Sequence, residues 1–293
     1  MAERAWLAEE FEQSRGHLRG VAYRMLGSVS EADDAVQECW LRLSRTGTTS
    51  VENLRGWLTT VVSRVCLDML RSRKARREEP LEGPGGETPK AAGRGADPES
   101  EAVMADAVGF ALLVVLDRLN PAERLAFVLH DLFDLPFEEI ARIAGRTPEA
   151  TRQLASRARR RVRGVTAVPK SEIAHQRALV DTFLTALRAG DAAKLVKLLD
   201  PGFAVLADAT AAAAVPAGIQ GAEAWAKLAI QSARGAKFAR AALVDGAVGV
   251  VVAPRGKLFR VLRLTFAGGR IAGMEVVGDV ERLGRMRLAV LDE

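Results

Sequence analysis

The stretch "LPFEEIARIAGRTPEATRQLASRARRRVRG", Leu135 to Gly164, constrains the fold most. Glu138 to Ala144 reads as a short helix, and Gly145-Arg146-Thr147 as a turn. Thr147 can serve as N-cap, with Pro148 at the first position of a second helix. On that helix Ala150, Leu154, Ala158 and Val162 recur at four-residue steps and mark the buried face. Arg152, Gln153, Ser156, Arg157 and Arg160 fall on the opposite face. The pattern predicts a helix-turn-helix.

The charge distribution gives that second helix a purpose. The chain has 293 residues and a net charge of only +5. Yet residues 141–164 hold eight arginines against one acid, Glu149, and five of those arginines lie between Arg157 and Arg163. A concentrated basic patch on a nearly balanced chain implies a local polyanion contact. In a major groove, arginine suits guanine and glutamine suits adenine, each by paired hydrogen bonds. The later arginines suit phosphate, which fixes position without reading sequence. The competing reading is a solvated basic helix end that complements the helix dipole.

Around this motif the chain divides into five parts. Residues 5–77 read as helical, with apolar positions Leu18, Val21, Ala22 and Met25 at three- and four-residue steps. Ser30 is the expected cap of the next helix, which carries Asp33 and Asp34 in its first turn. A further helix runs from Leu54 to Arg77 and ends in Arg71, Arg73, Lys74, Arg76 and Arg77. That basic end is either a solvated terminus or a second phosphate contact. Trp57, at the start of the same helix, is either a core residue or a platform for an unstacked base.

Residues 78–102, rich in Gly, Pro and Glu, are a flexible linker. Residues 103–164 are helical again, with Asn120, Pro121 and Glu123 forming a helix start. Residues 165–172 form a second joint. Residues 173–293 change character: two amphipathic helices divided at Gly190–Asp191, a third at "GAEAWAKLAIQS", then the strand-like runs "ALVDGAVGVVVAP", "KLFRVLRLTFAGG" and "RIAGMEVVGD". Val250, Val251 and Val252 read as buried strand and Gly268–Gly269 as a hairpin turn. The fold class is therefore multidomain, two all-α domains followed by an α+β domain with an antiparallel sheet.

Several functions are left without support. No apolar run reaches the roughly 18–20 residues of a membrane span. His17, His130 and His175 are far apart and show no metal-ligand spacing. Cys39 and Cys66 lie in apolar helical patterns and, with no signal peptide, read as buried free thiols of a cytoplasmic protein. No cofactor is expected.

"YRMLGSVSEADDAVQECWLRL" followed by "LRGWLTTVVSRVCLDMLRSRKARR" resembles the second conserved region of bacterial extracytoplasmic-function (ECF) sigma factors. "LDRLNPAERLAFVLHDLFDLPFEEIARIAGRTPEATRQLASRARRRV" resembles their fourth. "FLTALRAGDAAKLVKLLDP", "GIQGAEAWAKL" and "GGRIAGMEVVGDVERL" resemble a cone-shaped SnoaL-like domain, and the three together resemble SigJ-type sigma factors. The resemblance implies that core RNA polymerase and promoter DNA are the partners. Asp34, Gln37, Glu38 and Leu41 would dock on the β′ clamp helices. Asn53, Arg55, Trp57, Arg64, Arg71 and Arg73 would melt and read the −10 element. Arg152, Gln153, Ser156, Arg157 and Arg160 would read the −35 element. Two family elements are missing: of a "WLPEPL"-like linker only Glu79 to Leu81 remains, and "ADATAAAAVPAGIQG" stands where a "DGGGK"-like loop is expected.

SnoaL-like domains include both enzymes and binding modules, so fold does not decide function. Asp208, Trp225 and Phe238 are the candidate pocket residues, and a small ligand the candidate occupant. Asp208 reads either as a pocket-mouth carboxylate or as an ordinary loop residue, and His175 as a surface residue. Phe259, Phe266 and Met274 read as core or pocket. No second polar group stands at acid/base spacing, so catalysis is not expected. The rival reading is a small-molecule enzyme or ligand sensor fused to a DNA-binding module. A repressor that never touches polymerase would have no need of the acidic helix around Asp34.

Overall fold

The computed structural model describes residues 2–46, 53–78, 109–166, 168–212, 220–231 and 233–291. The expected linker at 78–102 lies outside them apart from Glu78, as do Glu79 to Leu81 and part of the alanine-rich loop near 213–219. The chain forms two compact units, residues 1–108 with 116–159, and residues 109–115 with 160–293.

In the first unit, α1 (Ala2–Leu26), α2 (Val29–Thr46) and α3 (Leu54–Glu78) pack on one another. Leu18, Val21 and Met25 of α1, Ala32, Val36 and Leu43 of α2, and Leu58, Val62 and Leu67 of α3 are at most 3% exposed. Gly27, at φ +76°, ends α1, and its N–H donates to the Tyr23 carbonyl. The chain therefore re-enters a helix earlier than the sequence suggested. Ser28 stands in the capping position instead of Ser30, its Oγ 3.5 Å from the Glu31 N–H.

Next come α4 (Phe110–Leu116) and α5 (Pro121–Phe127). The expected capping box at α5 is present. Asn120 accepts the Glu123 N–H at 2.9 Å, and the Glu123 carboxylate accepts the Asn120 N–H at 3.4 Å. A π-helical turn, Val128–Leu132, leads to α6 (Phe137–Ala144) and α7 (Pro148–Arg163).

The second unit holds α8 (Lys170–Ala189), α9 (Ala192–Leu198), α10 (Ala209–Ala212), α11 (Ala222–Gln231) and α12 (Val280–Arg285). Its strands are β1 (Leu199–Ala207), β2 (Ala239–Val244), β3 (Ala247–Val252), β4 (Arg260–Ala267), β5 (Arg270–Val277) and β6 (Leu288–Ala289), in the order β1-β5-β4-β3-β2-β6. The sheet is not wholly antiparallel, because β1 joins β5 in parallel. A parallel neighbour needs a long crossover, which the chain between β1 and β5 supplies. One sheet face, with Phe203, Val248, Leu264, Met274 and Val276, packs on Val180, Phe183 and Leu184 of α8 and Trp225 of α11.

Gly268 and Gly269 make the expected hairpin turn at φ +55° and +72°. A second tight hairpin splits the run that read as one strand. Asp245 and Gly246 take φ +52° and +90° between β2 and β3, as a two-residue primed turn requires. The Asp245 carboxylate accepts the Arg287 N–H at 2.9 Å, which fixes the tail beside the turn.

Candidate nucleic-acid interface

Helix α6 closes on Gly145, whose φ of +67° favours glycine, and Thr147 Oγ1 accepts the Ala150 N–H at 3.2 Å to open α7. Thr151 Oγ1 donates to the Thr147 carbonyl, so the turn is held from both sides. Thr151, Leu154, Ala155, Ala158 and Val162 are buried, whereas Ala150 is only half-buried. Arg152, Gln153, Ser156, Arg157 and Arg160 are all exposed, so the five predicted readers share one solvent-facing surface.

Acids from neighbouring elements order this basic face. Arg152 Nη2 donates to Glu138 Oε1 at 2.8 Å, Arg159 Nε to Asp131 Oδ1 at 2.5 Å, and Arg157 Nε lies 3.9 Å from the buried Glu123. The Arg152 guanidinium also sits 5.6 Å from the centre of the Phe137 ring. Sequence reading missed Phe137 and Glu138, because Glu138 and Arg152 are fourteen residues apart and no local period joins them.

On α2, Asp34, Gln37 and Leu41 are exposed and Glu38 is half-buried beside Arg42, at 2.9 Å. Their spacing puts an acidic and apolar stripe on one helix face. On α3 the six candidates do not form one uniform surface. Asn53 Oδ1 caps the helix by accepting the Gly56 N–H at 2.9 Å. Arg55 and Arg71 are exposed, and Trp57 is half-buried. Arg64 Nη2 donates to the Arg142 carbonyl at 3.2 Å, and Arg73 pairs with Glu31 of α2.

Arg124 is the largest fully buried side chain of the first unit. Its Nε donates to the Arg24 carbonyl at 3.0 Å and its Nη1 to Asp117 at 3.4 Å. Burial pushes its guanidinium down to about 10, with Asp117 opposing, so it stays charged at neutral pH.

In the second unit Trp225 and Asp208 each have structural partners. Trp225 is core, stacked on Phe183 at 5.5 Å and edge-on to Phe203 at 5.4 Å. Asp208 is a loop staple. Burial disfavours its charge, but the N–H groups of Asp279, Ala211 and Gly278, together with Arg282, hold its carboxyl below the usual range. A cavity of about 450 Å³, touched by Leu206, Asp245, Arg263, Thr265 and Glu275, and another of about 610 Å³, touched by Gln220, Lys227 and Arg270, include none of Asp208, Trp225 and Phe238. Among the described residues, no helix is long and apolar enough to cross a membrane.

Two helical modules, one ending in a basic-faced helix-turn-helix, fit the class of DNA-binding proteins. Residues 11–76 match Sigma-70 region 2, and residues 110–162 match Sigma-70, region 4. The probable ECF RNA polymerase sigma factor SigI of Mycobacterium tuberculosis is 39% identical over 205 residues, 70% of this chain and 69% of that protein. The ECF RNA polymerase sigma factor SigJ of the same organism is 46% identical over 195 residues, 66% of this chain and 62% of that protein. A crystal structure of M. tuberculosis SigJ aligns over 94% of this chain and 98% of its own, at 32% identity and a TM-score of 0.45. The chain belongs to the ECF RNA polymerase sigma factors.

Proposed function

We propose that the chain is an alternative sigma factor whose α2 stripe (Asp34, Gln37, Glu38, Leu41) docks on core RNA polymerase, whose α3 meets the −10 element, and whose α7 reads the −35 element. The reading places its domains at 5–77, 103–164 and 173–293. It binds core polymerase and promoter DNA and starts transcription at a restricted set of promoters in the cytoplasm. We assign it no catalysis of its own.

The observation that carries the −35 assignment is the single exposed face of Arg152, Gln153, Ser156, Arg157 and Arg160 behind a fully capped turn. Early residues of a recognition helix meet base edges, and late ones meet phosphate. Arg152→Ala should therefore relax the preference at one base pair. Arg160→Ala should weaken binding to all sequences and lower the salt slope by about one. Binding of the holoenzyme to duplexes across a salt series separates the two effects.

The C-terminal domain regulates this activity through a direct bond in place of a separate partner. The Val290 N–H donates to the Val162 carbonyl at 2.8 Å, one turn beyond Ala158 and two residues beyond Arg160. Covalent fusion raises effective concentration, so a contact this small can matter. A version ending at Val168 should change run-off transcription in either direction. Unchanged output would remove the regulatory role and leave the sigma assignment in place. Asp208 serves the fold as a carboxylate already engaged by backbone N–H groups, which argues against Asp208 as a catalytic base.

A further inference from the structure

Arg152 is held before any DNA arrives. Its guanidinium bonds Glu138 at 2.8 Å and lies over the Phe137 ring at 5.6 Å. Phe137 is itself fixed. One side packs against the buried cluster of Ala126, Leu154 and Ala155. Its ring stacks on His130 at 3.9 Å and 30°, and His130 Nδ1 is 3.0 Å from the Leu135 carbonyl, which accepts from it. A rigid stack thus runs from the π-helical turn through α6 to the solvent face of α7.

Stability does not explain this arrangement. The Arg152 and Glu138 side chains are 54% and 59% exposed, and such solvent-exposed pairs add little to stability. Positioning does explain it. A free arginine loses rotamer freedom when fixed, and fixing it in advance removes that cost from DNA binding. The Glu138 bond uses one of five guanidinium donors and leaves an edge for the O6 and N7 of guanine. The adjacent carboxylate also offsets the arginine charge, which makes Arg152 a poor phosphate counterion while keeping its directional donors.

We propose that Glu138 and Phe137 are positioning residues that make Arg152 a guanine reader in the −35 element. The proposal rests on the −35 assignment of α7 given above.

The test uses holoenzyme and a promoter scaffold randomised across the −35 position, sequenced before and after binding. Wild type should prefer guanine by roughly tenfold at one position, the size of a bidentate arginine contact. Arg152→Ala should flatten that position. Glu138→Ala and Phe137→Leu should flatten the same position and leave the other preferences unchanged. Glu138→Gln, which keeps an acceptor, should restore part of the preference, and Glu138→Ala with Arg152→Ala should match Arg152→Ala alone. If Arg152→Ala flattens the position while Glu138→Ala and Phe137→Leu keep the wild-type profile, the positioning role is overturned and the −35 assignment stands. If Arg152→Ala itself leaves every preference intact, the base-reading role of Arg152 falls and the proposal with it. A uniform loss at all positions in Glu138→Ala would mean a merely structural residue and would also overturn it.

Discussion

Arg124, buried, and Asp208, half-buried, are two charges with opposite consequences. Arg124, 2% exposed, ties α5 to the last turn of α1 through the Arg24 carbonyl. Arg124→Ala removes a charged donor and leaves that carbonyl unpaired, so urea unfolding should show a loss of about 2–3 kcal/mol. Asp208 has a depressed carboxyl pKa, so its contribution is present above the unfolded value and is lost as pH falls through the folded one. An asparagine there offers one oxygen and turns an NH₂ toward backbone donors. Asp208→Asn should cost about 2 kcal/mol near neutral pH and should flatten the acid limb of stability against pH. Thermal unfolding from pH 7 downward checks both effects. Cys39 and Cys66 are buried and free, as their apolar settings suggested, and burial pushes both thiols up to about 12. Both should resist a thiol reagent in the folded protein and react only on unfolding.

At the scale of elements, the joint after α7 is the most sensitive to change. Gly164 has φ +65°, and a Cβ there would lie 2.5 Å from that of Ala289. Gly164→Ala should therefore destabilise the second unit by at least about 1 kcal/mol, seen as a lower midpoint in its melting. Val290→Pro deletes the N–H that bonds Val162 and should shift transcriptional output in the direction of the truncation at Val168. These elements also mark what the sequence could convey. The Asn120 capping box, the Thr147 cap and the Gly268–Gly269 turn depend on neighbours within a few residues, so their chemistry is legible locally. The Asp245–Gly246 turn carries an equally local signal, but the valine run after it drew the reading toward one long strand. Asp208 finds two of its three backbone donors, Gly278 and Asp279, about seventy residues away, and Arg152 its carboxylate fourteen away, so these partners have no local signature. Trp225 looked open because a lone aromatic on a helix has the same pattern in a core as in a pocket.

The whole molecule joins an acidic and apolar stripe on α2, basic residues on α3 and α7, and an α+β domain whose Val290 N–H bonds the Val162 carbonyl near the end of α7. Of this, the order of the modules and the exposed face of α7 could be read from residue spacing and resemblance. The bond from Val290 to Val162 could not, because it depends on the folded sheet. The central claim is that these parts act together as a sigma factor. It is tested most directly by run-off transcription with core RNA polymerase, comparing wild type, Asp34→Arg with Glu38→Arg, and Arg152→Ala. The account predicts promoter-specific transcripts from wild type. Polymerase binding and transcripts should both be lost when the α2 charges are reversed, and polymerase binding should be intact but promoter choice relaxed in Arg152→Ala. Wild-type protein that neither binds core polymerase nor yields a specific transcript would contradict it.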